Sequence, residues 1–91
     1  MPNATRNVTV GSRVGLHARP ASTFVQAVTA SGQDVTITTT SGDTADGASI
    51  LSVLALAVGH GAELVLAVVG DNATTVADEL ASLLASDLDA A

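Results

Sequence analysis

Cysteine is absent from the 91-residue chain, which excludes disulfides, thiolate metal sites and cysteine nucleophiles. Tryptophan and tyrosine are also absent, and Phe24 is the one aromatic residue. A nucleic-acid partner whose bases stack on aromatic rings is therefore not expected. Lysine is missing too, so three arginines stand against nine acids. Arg6, Arg13 and Arg19 all precede the first acid, Asp34, so residues 1–33 carry +3 and residues 34–91 carry −9. Such a chain binds a long polyanion poorly, yet its basic end suits one small anion. The two histidines, His17 and His60, do not fill a structural zinc site without carboxylates beside them, and no metal or other cofactor is expected. No run of about 18 apolar residues occurs to span a membrane, and Met1 to Arg6 is too polar for the core of a signal peptide. The expectation is a cytoplasmic protein of one domain, residues 1–91, with neither nucleic acid nor membrane as partner.

What is present is small and aliphatic. Apolar residues reach 47%, mostly Ala, Val and Leu, enough for one modest core. Asn7-Val8-Thr9-Val10 alternates polar and apolar like a half-buried strand and ends at Gly11-Ser12. Pro20 suits the first turn of a helix, where a missing N–H has no partner to lose. Ala21, Phe24, Val25 and Val28 then fall on one helical face, and Ser31-Gly32 closes it. Val35, Ile37 and Thr39, alternating with threonines, read as a strand, followed by a Ser41-Gly42-Asp43 turn and a short return strand over 44–48. Ser49 caps a second helix whose expected buried stripe is Ile50, Val53, Leu54 and Ala57, stopped by Gly59-His60-Gly61. Glu63 to Val69 reads as a strand with a covered face and crowded neighbours. Gly70-Asp71-Asn72 turns the chain and offers a cap. The last helix has Val76, Leu80, Leu83, Leu84 and Leu88 inward and Asp78, Glu79 and Asp87 outward.

The order β-α-β-β-α-β-α predicts an α+β fold, a two-layer open-faced sandwich of four strands with three helices on one face. The connections alone permit an antiparallel or a mixed sheet. The opposite sheet face is expected to be solvated, which suits the threonines of 36–40.

The most informative stretch is Gly15-Leu16-His17-Ala18-Arg19-Pro20-Ala21, which sets a histidine at the end of a loop as a helix begins. Glycine at 15 permits a positive φ, and Pro20 places the helix start within a turn of His17. The first backbone N–H groups without a helical acceptor are then those of Ala18 and Arg19. A helix N-terminus favours anions, so these groups and the Arg19 guanidinium can meet the oxygens of a phosphoryl group carried on the His17 ring. Two readings stand on these residues alone. His17 is either a helix cap and nothing more, or the seat of a phosphohistidine that needs no metal.

The segment GLHARPA resembles the active-site motif of the HPr phosphocarriers of the phosphoenolpyruvate:sugar phosphotransferase system. The resemblance extends over the chain through the element order, the length and the spacing from His17 to the Ser49-Ile50-Leu51 helix. It implies a carrier rather than an enzyme, acting as a monomer on a four-stranded antiparallel sheet, in transient contact with enzyme I and enzyme IIA domains. It further implies that His17 takes the phosphoryl group on Nδ1 and that Arg19 steadies it. Ser49 matches the serine that HPr kinase phosphorylates in some bacteria. Leu16, Ile50, Leu51 and Leu54 match the apolar docking patch. A carrier or regulator in a nitrogen-related or dihydroxyacetone-kinase branch shares the same motif and is the alternative. A binding module that never carries phosphate is disfavoured by intact His17 and Arg19.

Three departures from the family pattern bear on function. Val14 stands where a small polar residue is common before the glycine, with Ser12 a substitute for the lost contact. Ala48 stands where kinase-regulated members carry a lysine, which favours Ser49 as a plain helix cap. Only Arg13 and Arg19 remain as positive charge near His17, so steering toward an acidic partner is weak and salt-sensitive. His60, between two glycines after the second helix, matches no family role, and none is expected of it.

Overall fold

The computed structural model describes residues 3–86. Along the chain run β1 (Asn3–Thr9), α1 (Ala18–Ser31), β2 (Asp34–Thr39), β3 (Thr44–Asp46), α2 (Ile50–Ala55), β4 (Glu63–Val69) and α3 (Ala73–Ala85). The sheet order is β1-β4-β2-β3, and every neighbouring pair is antiparallel. This resolves the antiparallel-or-mixed alternative. β1 and β2 are each one helix apart in sequence, but β4 lies between them.

Alternation along the strands sends Ala4, Val8, Val35, Ile37, Ala45, Leu64, Leu66 and Val68 inward, where the helices cover them. Phe24 of α1, fully buried, meets this face with Val28, Val53, Val76, Ala77, Leu80 and Leu84. Burial of its ring contributes about 2–3 kcal/mol, a large share for a core otherwise built of Ala, Val and Leu. The apolar run of β4 reflects a central position between β1 and β2, not cover on both faces. Val65 is 42% exposed on the open side, in register with Asn7 and Thr38. Thr36 is exposed there as well, so the helix-free side of the sheet faces solvent as expected.

Several boundaries differ from the sequence reading. β1 starts four residues earlier than Asn7, because β4 is long enough to pair with it from Asn3. β3 stops at Asp46 instead of continuing to residue 48. The Asp46 side chain accepts the Ala48 N–H at 2.9 Å and its carbonyl accepts the Ser49 N–H at 3.1 Å, which turns the chain into α2. α2 is a short helix, so Ala57 lies beyond its end and is exposed, and of the expected stripe Val53 alone is fully buried. Ile50 and Leu54 are half-buried against the core. Asn72 stands at the N-cap of α3 without a side-chain cap bond; its own N–H goes to Gln33 Oε1 at 3.2 Å. Leu88 and Asp87 lie outside the described residues. No described helix is long and apolar enough to cross a membrane.

Candidate functional site

The loop between β1 and α1 is held from two sides. At its start, the Gly11 N–H donates to the Leu84 carbonyl at 3.0 Å, and a Cβ at Gly11 would overlap the Ala85 carbonyl oxygen. The close approach of the α3 C-terminus therefore demands glycine. Further on, the Ser12 carbonyl accepts the Gly15 N–H at 3.0 Å, closing a turn in which Gly15 has φ +73°. A Cβ at Gly15 would overlap the Val58 carbonyl oxygen and stand 2.8 Å from the Gly59 Cα. Leu16 then donates its N–H to the Val58 carbonyl at 2.9 Å.

These bonds deliver His17 to the N-cap of α1 with an extended backbone (φ −81°, ψ −174°). Its carbonyl accepts the Ala21 N–H at 2.9 Å, while its imidazole makes no capping bond and is exposed. The plain capping role is thus not performed by the side chain. Ala18 and Arg19 form the exposed first turn, and their N–H groups precede any helical carbonyl able to accept them. Pro20 is buried and supplies no N–H. The result is an exposed imidazole at a helix start whose first N–H groups have no helical acceptor, with exposed Arg19 two residues on, an arrangement suited to an anionic group on the ring.

Beside His17 lies an open cleft of about 280 Å³, lined by Leu16, His17, Ala18, Leu54, Ala57, Val58 and Gly59. The structure thus brings Leu54 to His17. Leu51 is 78% exposed on α2 and Val14 is 48% exposed on the loop. Leu16, expected as a docking residue, differs: it is 4% exposed and belongs to the core, because the Leu16–Val58 bond turns its side chain in. Ser49 is half-buried at the N-cap of α2, where its oxygen accepts the Ser52 N–H at 3.3 Å. Arg6 leaves the basic cluster altogether, since its Nε pairs with Asp78 of α3 at 2.8 Å. That exposed pair contributes about 0.5 kcal/mol and leaves Arg13 and Arg19 as the cations near His17 in sequence. Among the described residues, no group of three or more His, Asp or Glu is placed to hold a metal ion.

Two features of the site were missed in the sequence. Ala57 has φ +53°, a left-handed conformation that an L-alanine adopts at a cost of about 1 kcal/mol or more. It ends α2 sharply and forms part of the cleft wall. Ala57→Gly is expected to raise the unfolding free energy by about 0.5–1 kcal/mol, the relieved strain less the larger chain entropy of glycine. A lower midpoint in urea unfolding would show instead that the methyl contacts outweigh the strain. The second feature is His60, whose Nδ1 lies 3.0 Å from the Ser12 carbonyl oxygen, 48 residues away in sequence.

An open-faced sandwich of this topology, with a histidine exposed at the start of its first helix, suits the class of small domains that carry an anionic group on a side chain. Comparison with known proteins narrows the class. The PTS-HPr family model, described as "PTS HPr component phosphorylation site", matches residues 4–86. The chain is 46% identical over 86 residues to the phosphocarrier protein HPr of Streptomyces coelicolor, covering 94% of this chain and 92% of that protein. It is 39% identical over 82 residues to the phosphocarrier protein HPr of Haloferax volcanii, covering 89% and 92% respectively. The crystal structure of an HPr phosphocarrier from Bacillus anthracis superposes with a TM-score of 0.85 at 30% identity, over 90% of this chain and 96% of that one. This chain belongs to the HPr family of the phosphotransferase system, and its role is that of a phosphocarrier.

Proposed function

We propose that His17 is the residue that accepts and passes on the phosphoryl group, between enzyme I and enzyme IIA domains of a sugar phosphotransferase chain. The observation that carries this reading is the exposed imidazole of His17, without a capping bond, at the N-terminus of α1. The Nδ1 lone pair attacks the phosphorus of an enzyme I phosphohistidine in line. As the new N–P bond forms, the old one breaks, and its electron pair returns to the donor imidazole. One N–P bond replaces another, so the free-energy change is small and the transfer can run onward to the next histidine. The N–H groups of Ala18 and Arg19 and the Arg19 guanidinium stabilise the anionic group in transit. A few exposed donors hold it loosely, which a carrier requires and a closed cage would prevent.

Leu54, Leu51 and Ile50 supply the apolar surface on which each partner docks, covering the cleft and excluding water while transfer occurs. Ser49 serves as the cap of α2, its oxygen accepting the Ser52 N–H, and no lysine precedes it to assist HPr kinase. We place the protein in the cytoplasm with its partners, acting as a monomer and as one HPr-like domain over residues 1–91.

The test is incubation with phosphoenolpyruvate and purified enzyme I, followed by intact mass. One acid-labile phosphoryl group is expected; none, with an active enzyme I control drawn from several phosphotransfer branches, would overturn the reading. Arg19→Ala is expected to slow transfer about tenfold while leaving acceptance possible, the effect of losing one charge-assisted contact of about 1.4 kcal/mol. An unchanged rate constant in a quench-flow measurement would remove Arg19 from the mechanism.

A further inference from the structure

The segment 58–61 forms one wall of the site, yet it is poorly equipped to hold its own shape. It reads Val58-Gly59-His60-Gly61, so His60 is its one polar side chain. A Cβ on Gly59 would meet nothing within 4 Å, and Gly61 has φ +79°. The segment is nevertheless laced to the loop that presents His17. The Gly61 N–H donates to the Val10 carbonyl at 2.9 Å, and the Leu16 N–H donates to the Val58 carbonyl at 2.9 Å. Between these two backbone bonds the His60 Nδ1 reaches the Ser12 carbonyl oxygen at 3.0 Å.

We infer that His60 is a positioning residue for phosphoryl transfer, a side-chain latch that holds the 12–16 loop against the 58–61 wall and so sets His17 in place. A carbonyl oxygen only accepts, so the proton of this bond sits on His60 Nδ1. The same oxygen also accepts the Gly15 N–H at 3.0 Å, so both of its acceptor positions are used. Ser12 is 1% exposed, so the carbonyl that His60 reaches belongs to a buried residue. Releasing the latch loosens the turn that ends in Gly15 and Leu16, and His17 is the next residue. A displacement of about 1 Å at a reacting group is enough to cost a large factor in rate. His60 itself stays outside the chemistry.

The inference rests on His17 as the acceptor, and the experiment separates the two claims. His60→Ala is expected to raise the amide hydrogen-exchange rates of Gly15 and Leu16 about tenfold, and to lower kcat/KM for phosphorylation by enzyme I about five- to tenfold. His60→Asn keeps an amide N–H at the same remove from Cβ as Nδ1, and is expected to restore both. Nitrogen-15 spectra of the wild-type imidazole should show His60 protonated at Nδ1. Unchanged Gly15 and Leu16 exchange in His60→Ala, an unprotonated Nδ1, or a His60→Asn variant as slow as His60→Ala would each overturn the latch. If the wild-type protein takes no phosphoryl group while the exchange pattern follows the latch, the reading of His17 fails and the structural role of His60 stands.

Discussion

His17→Ala is expected to abolish phosphoryl acceptance while leaving the fold intact. The two halves of that expectation come from separate observations. His17 is exposed and its imidazole makes no capping bond, so the side chain contributes little to folding. Its backbone carbonyl, which accepts the Ala21 N–H, survives the substitution. The loss of stability should stay within about 0.5 kcal/mol, as for other exposed positions without a specific contact. Phosphorylation, by contrast, has no substitute nucleophile at the site. The chain has no cysteine, and the other histidine, His60, is turned toward the Ser12 carbonyl. Intact mass after treatment with enzyme I and phosphoenolpyruvate should show no added group, alongside an unfolding midpoint near that of the wild type. An acid-labile adduct on the variant would place the acceptor elsewhere.

Gly15→Ala should damage stability and transfer together. Its φ of +73° is not the main obstacle, since Ala57 already lives at +53° in the same site. The obstacle is space. A methyl at position 15 overlaps the Val58 carbonyl oxygen and approaches the Gly59 Cα to 2.8 Å, both of them backbone atoms that no rotamer change can clear. The loop must move away from the 58–61 segment, which breaks the Leu16–Val58 hydrogen bond. Left-handed strain of about 1 kcal/mol, a lost backbone bond of about 1 kcal/mol and the disturbed packing of Leu16 together suggest a loss of about 2–4 kcal/mol. Because the displaced loop carries His17, kcat/KM for phosphorylation should fall about a hundredfold or more. Urea unfolding and steady-state phosphorylation of the same preparation check both effects. Wild-type transfer in Gly15→Ala would show that the loop and wall separate without consequence for the site.

Much of this protein was legible from its residues. The threonine-rich strands, the 3.6-residue stripe through Phe24 and Val28 and the glycine-marked turns were enough for the element order, because period and punctuation are local properties. The motif around His17 was legible for the same reason. A histidine, an arginine and a proline within four residues lie at one helix start whatever the rest of the chain does.

What stayed hidden in the sequence was the behaviour of short or distant pieces. α2 ends at Ala55 rather than extending to Ala57, since a six-residue helix is governed by its contacts more than by its stripe. Arg6, part of the basic end in sequence, is drawn off to Asp78, and Leu16 is drawn into the core. His60 looked idle between its glycines because its partner, Ser12, is 48 residues away.

The amino-acid sequence by itself determined the sheet-and-helix order and the place of His17 and Arg19 at one helix start, since both rest on residues close together in the chain. Tertiary structure alone decided how tightly the site is built. The bonds from Val58 and His60 to the His17 loop, the seat of α3 against Gly11 and the cleft beside Leu54 all join segments that only the folded sheet brings together. Such contacts depend on distances in space that no local pattern of side chains encodes.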